Sequence, residues 1–128
     1  MKSLVGFKVL IVDDDTDLRE LVSEEFLIAG AHVEAASSGN NAIDFIKKNQ
    51  YDFILSDLRM PDGDGYFLAN EILKISGPKP LFFIYSGYND ISESQLIELG
   101  IEEIFCKPFV MKDIIKSILM RFANRAPA

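Results

Sequence analysis

The sequence predicts an α/β fold, a doubly wound sheet of five parallel strands with five helices, and three observations carry that prediction. Short runs rich in Val, Ile, Leu and Phe recur along the chain in the manner of buried strands. Segments with apolar residues at helical spacing follow them, so strand and helix alternate five times. Glycines and capping residues punctuate the joins. Such alternation requires crossover connections, which put helices on both faces of a mainly parallel sheet.

The first strand, Lys8 to Val12, ends abruptly in Asp13, Asp14 and Asp15, the pattern of a buried strand feeding a loop. A helix is predicted over Asp17 to Ala29, with Leu18, Leu21, Val22 and Phe26 on its apolar face. His32 to Ala36 reads as the second strand and Asn40 to Lys48 as the second helix, with Ala42, Ile43 and Ile46 facing inward. The third strand, Phe53 to Ser56, exits at Asp57, and the helix after it spans Tyr66 to Ile75 through Phe67, Leu68 and Ile72. Leu81 to Tyr85 is the fourth strand, exiting at Ser86, with a helix over Ser92 to Leu99. Glu103 to Cys106 is the fifth, exiting at Lys107, and Met111 to Ala123 closes the series with Ile114, Ile115, Ile118, Leu119 and Phe122. Thr16 and Ser38 stand where N-cap residues belong, and Gly30, Gly77 and Gly100 where helices stop.

With 128 residues, 48% of them hydrophobic, the chain fits a single domain, with a core expected over residues 8–122 and a frayed tail at 124–128. No output domain is expected after the fifth helix. A formal charge of −7 repels a phosphate backbone, so direct nucleic-acid binding is not expected. The stretch from Asn89 to Glu103 is acidic without a Lys or Arg, and reads as a solvated helix face or a surface for a basic partner. No apolar run approaches the roughly 20 residues of a membrane span. No secretory leader is apparent, and Cys106 is the single cysteine, which points to a cytoplasmic setting.

In open parallel sheets ligands bind beyond the carboxyl ends of the strands, which here carry Asp13, Asp14, Asp15, Asp57, Ser86 and Lys107. Clustered carboxylates repel one another unless a cation is present, so the set makes sense as a hard-metal site, and Mg²⁺ suits oxygen donors. Zinc lacks its ligands: His32 reads as a surface strand residue and Cys106 stands alone. Taken singly, Asp15 is a cap or turn residue, Ser86 a turn hydroxyl and Lys107 a solvated charge. Jointly they describe a site.

The segments Val9-Leu10-Ile11-Val12-Asp13-Asp14-Asp15, Ser56-Asp57-Leu58-Arg59-Met60-Pro61-Asp62-Gly63-Asp64-Gly65, Tyr85-Ser86-Gly87-Tyr88 and Cys106-Lys107-Pro108-Phe109 resemble, in order and spacing, the signatures of response regulator receiver domains. The resemblance covers roughly Lys8 to Phe122 and implies a flavodoxin-like, CheY-like fold. It implies that Asp57 is the phosphoacceptor, that Asp14 and Asp57 ligate Mg²⁺ directly, that Asp13 acts through a water and that the backbone carbonyl of Arg59 completes the protein's share. It further implies that Ser86 hydrogen-bonds the phosphoryl group, that Lys107 pairs with its charge and that Pro108 follows a cis bond. The implied partners are a histidine kinase or histidine phosphotransfer protein, and a downstream protein on the face of helix four, strand five and helix five.

Arg59 and Tyr88 correspond to positions that border the approach of water to the acceptor, and both are large enough to prolong the phosphoryl group's life. One position departs from the family pattern: Ile104 stands where an aromatic is common, three residues before Lys107, and Phe105 faces the other way. Three rivals share parts of the pattern. A haloacid-dehalogenase-like phosphatase would use Asp13 as nucleophile, but its motif needs Thr where Asp17 stands, and its later acidic motif is absent. A flavodoxin-like FMN protein needs a Ser/Thr/Gly-rich phosphate loop where this chain is acidic. A receiver working without phosphorylation typically loses some of the acidic or Lys positions, and here all are present.

Overall fold

The structure is a computed structural model that describes residues 3–87 and 91–123. Five strands, β1 (Lys8–Val12), β2 (His32–Ala36), β3 (Phe53–Asp57), β4 (Leu81–Ser86) and β5 (Ile101–Cys106), alternate with α1 (Thr16–Ile28), α2 (Gly39–Lys48), α3 (Gly65–Leu73), α4 (Glu93–Leu99) and α5 (Met111–Ala123). All pairings are parallel, in the order β2-β1-β3-β4-β5. The doubly wound prediction holds.

Strand alternation divides the core in two. Val9, Ile11, Phe53, Leu55, Phe83 and Tyr85 face α1 and α5, where they meet Val22, Phe26, Ile114 and Ile118. Phe53 sits at the centre of this layer, its ring within 6.4 Å, centroid to centroid, of those of Phe7, Phe26, Phe83 and Phe122. Leu10, Val12, Ile54, Phe82 and Ile84 face the other way, against Ala42, Leu68, Ala69 and Ile72. Ile104 packs with this second layer and Phe105 with the first, as alternation requires. His32 is exposed on the edge strand β2.

Several element boundaries differ from the sequence reading. The cap of α1 is Asp15, not Thr16: Asp15 is extended at φ −80°, ψ 109°, and its side chain accepts from the Leu18 N–H, whereas Thr16 is already helical. Ser38 does cap α2, accepting from Asn41 N–H. Gly77 does not end α3, which stops at Leu73 with Lys74 as C-cap. Gly100 ends α4 in the left-handed conformation at φ 70°. Strand β5 begins at Ile101, ahead of Glu103, because parallel pairing with β4 continues through a register shift between Phe82 and Phe83. Asp57 and Ser86, read as lying just past their strands, are the last residues within β3 and β4.

Candidate functional site

The strand order reverses direction between β1 and β3, and in such sheets the crevice lies beyond the strand ends at that switch. Asp13 and Asp14 leave β1 there and Asp57 ends β3, so residues far apart in sequence meet. One ligand oxygen from each of Asp13, Asp14 and Asp57 lies within 4.8 Å of the others. An all-oxygen, trianionic donor set of this size suits a hard divalent cation such as Mg²⁺.

The three carboxylates are held differently. Asp13 is 0% exposed, and both its oxygens are engaged: Asp15 N–H donates to Oδ1 at 2.9 Å and the Tyr85 hydroxyl donates to Oδ2. Its backbone is fixed too, with the N–H donating to Ala36 O and the carbonyl accepting from the Arg19 guanidinium at 2.7 Å. Burial lifts the Asp13 carboxyl above its ordinary value; the Tyr85 and Asp15 hydrogen bonds oppose that, and Lys107 opposes the charge of Asp57. Burial first, then the Asp13 charge, pushes the Tyr85 phenol far above its ordinary range, so it remains a donor. Asp14 is exposed. Asp57, 9% exposed, accepts from Leu58 N–H at Oδ1 over 2.7 Å and faces Lys107 Nζ at 3.6 Å through Oδ2.

The basic side of the site comes from β5 and its exit. Lys107 N–H donates to Ser86 O at 2.8 Å, tying the two strand ends together, and the Lys107–Pro108 bond is cis. Ser86 is buried at the end of β4. The Arg59 side chain is exposed on the loop after β3, and Ile104 is half-buried. Tyr88 lies outside the described residues.

The loop after β3 is clamped by the start of α2. Gly39 N–H donates to Gly63 O at 2.8 Å, Asn40 N–H to Asp62 O at 3.1 Å, and the Asn40 amide to Asp62 Oδ1 at 2.8 Å. Asp62 and Gly63 both have positive φ, 61° and 98°, which turns the chain sharply there. Sequence reasoning saw the tight loop but neither the clamp nor Tyr85, which read as one more apolar residue of β4. The available signal for Tyr85 was chemical: a phenol in a fully buried strand needs an acceptor.

The phosphatase alternative fits less well, because the Lys107 ammonium faces Asp57, at 3.6 Å, while Asp13 is fully buried behind the Tyr85 hydroxyl. Comparison with known proteins agrees. Residues 9–119 match the response regulator receiver domain. The CpxR homolog of Haemophilus influenzae, a transcriptional regulatory protein, is 34% identical over 120 residues, covering 91% of this chain and 52% of its own. The sensor histidine kinase RcsC of Escherichia coli K12 is 29% identical over 117 residues, covering 91% of this chain but 12% of its own. This chain thus spans about half or less of the curated relatives it matches. Among solved structures, the non-phosphorylated HemR receiver domain of Leptospira biflexa superposes with TM-score 0.83 at 29% identity, covering 96% of this chain and 99% of its own. The response regulator TrrA of Thermotoga maritima, in complex with Mg²⁺-BeF, gives 0.78 at 25%, covering 89% and 97%. By the match over residues 9–119, the shared fold and the acidic site at its switch point, the chain belongs to the response regulator receiver domains of two-component signalling.

Proposed function

We propose that this chain, acting as a single receiver module, takes a phosphoryl group onto Asp57 in a Mg²⁺-dependent reaction and signals through a change of its surface. The observation that carries the reading is the meeting of Asp13, Asp14 and Asp57 within 4.8 Å, with Lys107 Nζ 3.6 Å from Asp57. Asp14, Asp57 and the Arg59 backbone carbonyl hold the metal, and Asp13 acts through a water. Exposure of Asp14, against the two occupied oxygens of Asp13, supports that division. When bound, Mg²⁺ supplies positive charge to the phosphoryl oxygens, and TrrA's complex with Mg²⁺-BeF is a precedent for such a ligand pair.

An oxygen of Asp57 forms a bond to phosphorus as the donor's P–N or P–O bond breaks. The leaving group keeps that bond's electron pair, and the product is an acyl phosphate. The protein's share is placement and charge rather than covalent help. Lys107 exchanges its ion pair with the Asp57 carboxylate for one with the phosphoryl oxygens, and Ser86 hydrogen-bonds them. The donor is a histidine kinase or histidine phosphotransfer protein, and the face of α4, β5 and α5 meets a downstream protein. No helix among the described residues is long and apolar enough to cross a membrane; the proposed setting is the cytoplasm.

The test is to incubate the protein with a small acyl phosphate, with and without Mg²⁺, and weigh it intact. Wild type gains one phosphoryl group only with Mg²⁺, and Asp57→Asn gains none. An equal gain by Asp57→Asn would overturn the proposal.

A further inference from the structure

Tyr85 is buried in β4, where its Cα pairs with Asp57 on one side and Phe105 on the other. Its side chain points into the core layer shared with α1 and α5, where its ring lies 5.3 Å from that of Phe109, tilted by 57°. The hydroxyl reaches across the neighbouring strand to the Asp13 carboxylate, 72 residues away in sequence. Lys107 Nζ stands 5.3 Å from the centroid of the same ring, within the range of a cation–π contact. One side chain therefore touches the acidic half of the site through its hydroxyl and the basic half through its ring.

Resting on the function proposed above, we propose that Tyr85 is a positioning residue of the metal site, whose hydroxyl fixes the Asp13 carboxylate in the orientation that Mg²⁺ binding uses. A carboxylate is held in one plane only when both oxygens are tied. The Asp15 N–H secures Oδ1, so the Tyr85 hydroxyl is what stops rotation about the other end. Each carboxylate oxygen has a second lone pair, so Asp13 can still accept from a water on the metal. Without the hydroxyl, Oδ2 loses its protein donor in a fully buried position and must find another partner by turning. Groups that orient a metal site from behind commonly matter 10- to 100-fold for affinity, and one acting through a water belongs near about tenfold.

The competing account is that Tyr85 merely fills core and satisfies its own hydroxyl. Tyr85→Phe separates the two, because it keeps the ring, its packing and its place beneath Lys107 while removing the hydroxyl. Mg²⁺ affinity is measured by amide NMR titration of the folded protein for wild type, Tyr85→Phe, Asp13→Ala and the double variant. The expected result is a Kd raised about tenfold in Tyr85→Phe, and no further effect of Tyr85→Phe in the Asp13→Ala background, because the hydroxyl acts only through Asp13. A Tyr85→Phe Kd within about twofold of wild type would overturn the inference, as would a loss that persists undiminished when Asp13 is absent. Wild-type protein that binds no Mg²⁺ would overturn the function beneath it instead, so the two failures are distinguishable.

Discussion

Replacing Gly39 with alanine tests the clamp that holds the loop after the acceptor. A Cβ built there would stand 2.5 Å from Gly63 O and 2.8 Å from Gly63 C, closer than carbon contacts allow, and both neighbours are backbone. Relief therefore means separating α2 from the loop. That movement stretches the Gly39–Gly63 and Asn40–Asp62 backbone hydrogen bonds, now 2.8 and 3.1 Å. Each is worth about 0.5–1.5 kcal/mol. Overpacking alone costs about 1–3 kcal/mol. Alanine's advantage over glycine in a helix returns at most about 1 kcal/mol. The balance is a loss of about 1–5 kcal/mol, and with a urea dependence of about 2 kcal/mol per molar, the unfolding midpoint falls by roughly 0.5–2.5 M. Urea unfolding followed by circular dichroism measures it, with Gly87→Ala as control. A Cβ at Gly87 would meet nothing within 4 Å among the described residues, and that substitution should stay within about 0.5 kcal/mol. A Gly39→Ala midpoint at or above that of wild type would refute the clamp.

Three further outcomes follow from the same geometry. Asp14→Ala weakens Mg²⁺ binding more than Asp13→Ala, since Asp14 is exposed while both oxygens of Asp13 are already engaged; equal losses in a calorimetric titration would count against the assigned roles. Lys107→Ala still accepts phosphoryl from an acyl phosphate but transmits little change to α4 and β5, and complete loss of acceptance with Mg²⁺ binding intact would contradict this. Away from the site, the Tyr51 hydroxyl donates to Glu34 Oε1 at 2.8 Å and holds that carboxyl below its ordinary 4.5. A depressed folded value adds stability above the ordinary value and loses it as pH falls through the folded one. The stability gap between wild type and Tyr51→Phe should thus be full near neutrality and shrink below about pH 4.5, and a pH-independent gap in urea unfolding would dispose of the idea.

The alternation of strands and helices was legible because buried parallel strands are nearly continuous apolar runs, and β1 and α5 fall where those runs and periodicities stand. Local chemistry with two close candidates was less so. Asp15 and Thr16 are both capping residues, and only the backbone at Asp15 decides between them. The start of β5 was hidden by Glu102, a charge uncommon in a strand, which meets Arg121 of α5 at 4.0 Å. The acidic cluster itself was legible, since strand exits collect at one edge of any such sheet. Tyr85 and the Gly39–Gly63 contact were not, because each depends on which residues the register sets opposite one another across tens of positions.

The central claim is that Asp57 carries the phosphoryl group, and trapping the acyl phosphate tests it most directly. Borohydride reduces an acyl phosphate to the alcohol, converting the modified aspartate to homoserine, which peptide mass spectrometry then locates. After incubation with a phosphodonor and Mg²⁺, the account predicts homoserine at position 57 alone, and no trapped product without the metal. Homoserine at position 13, with steady turnover of the phosphodonor, would contradict it.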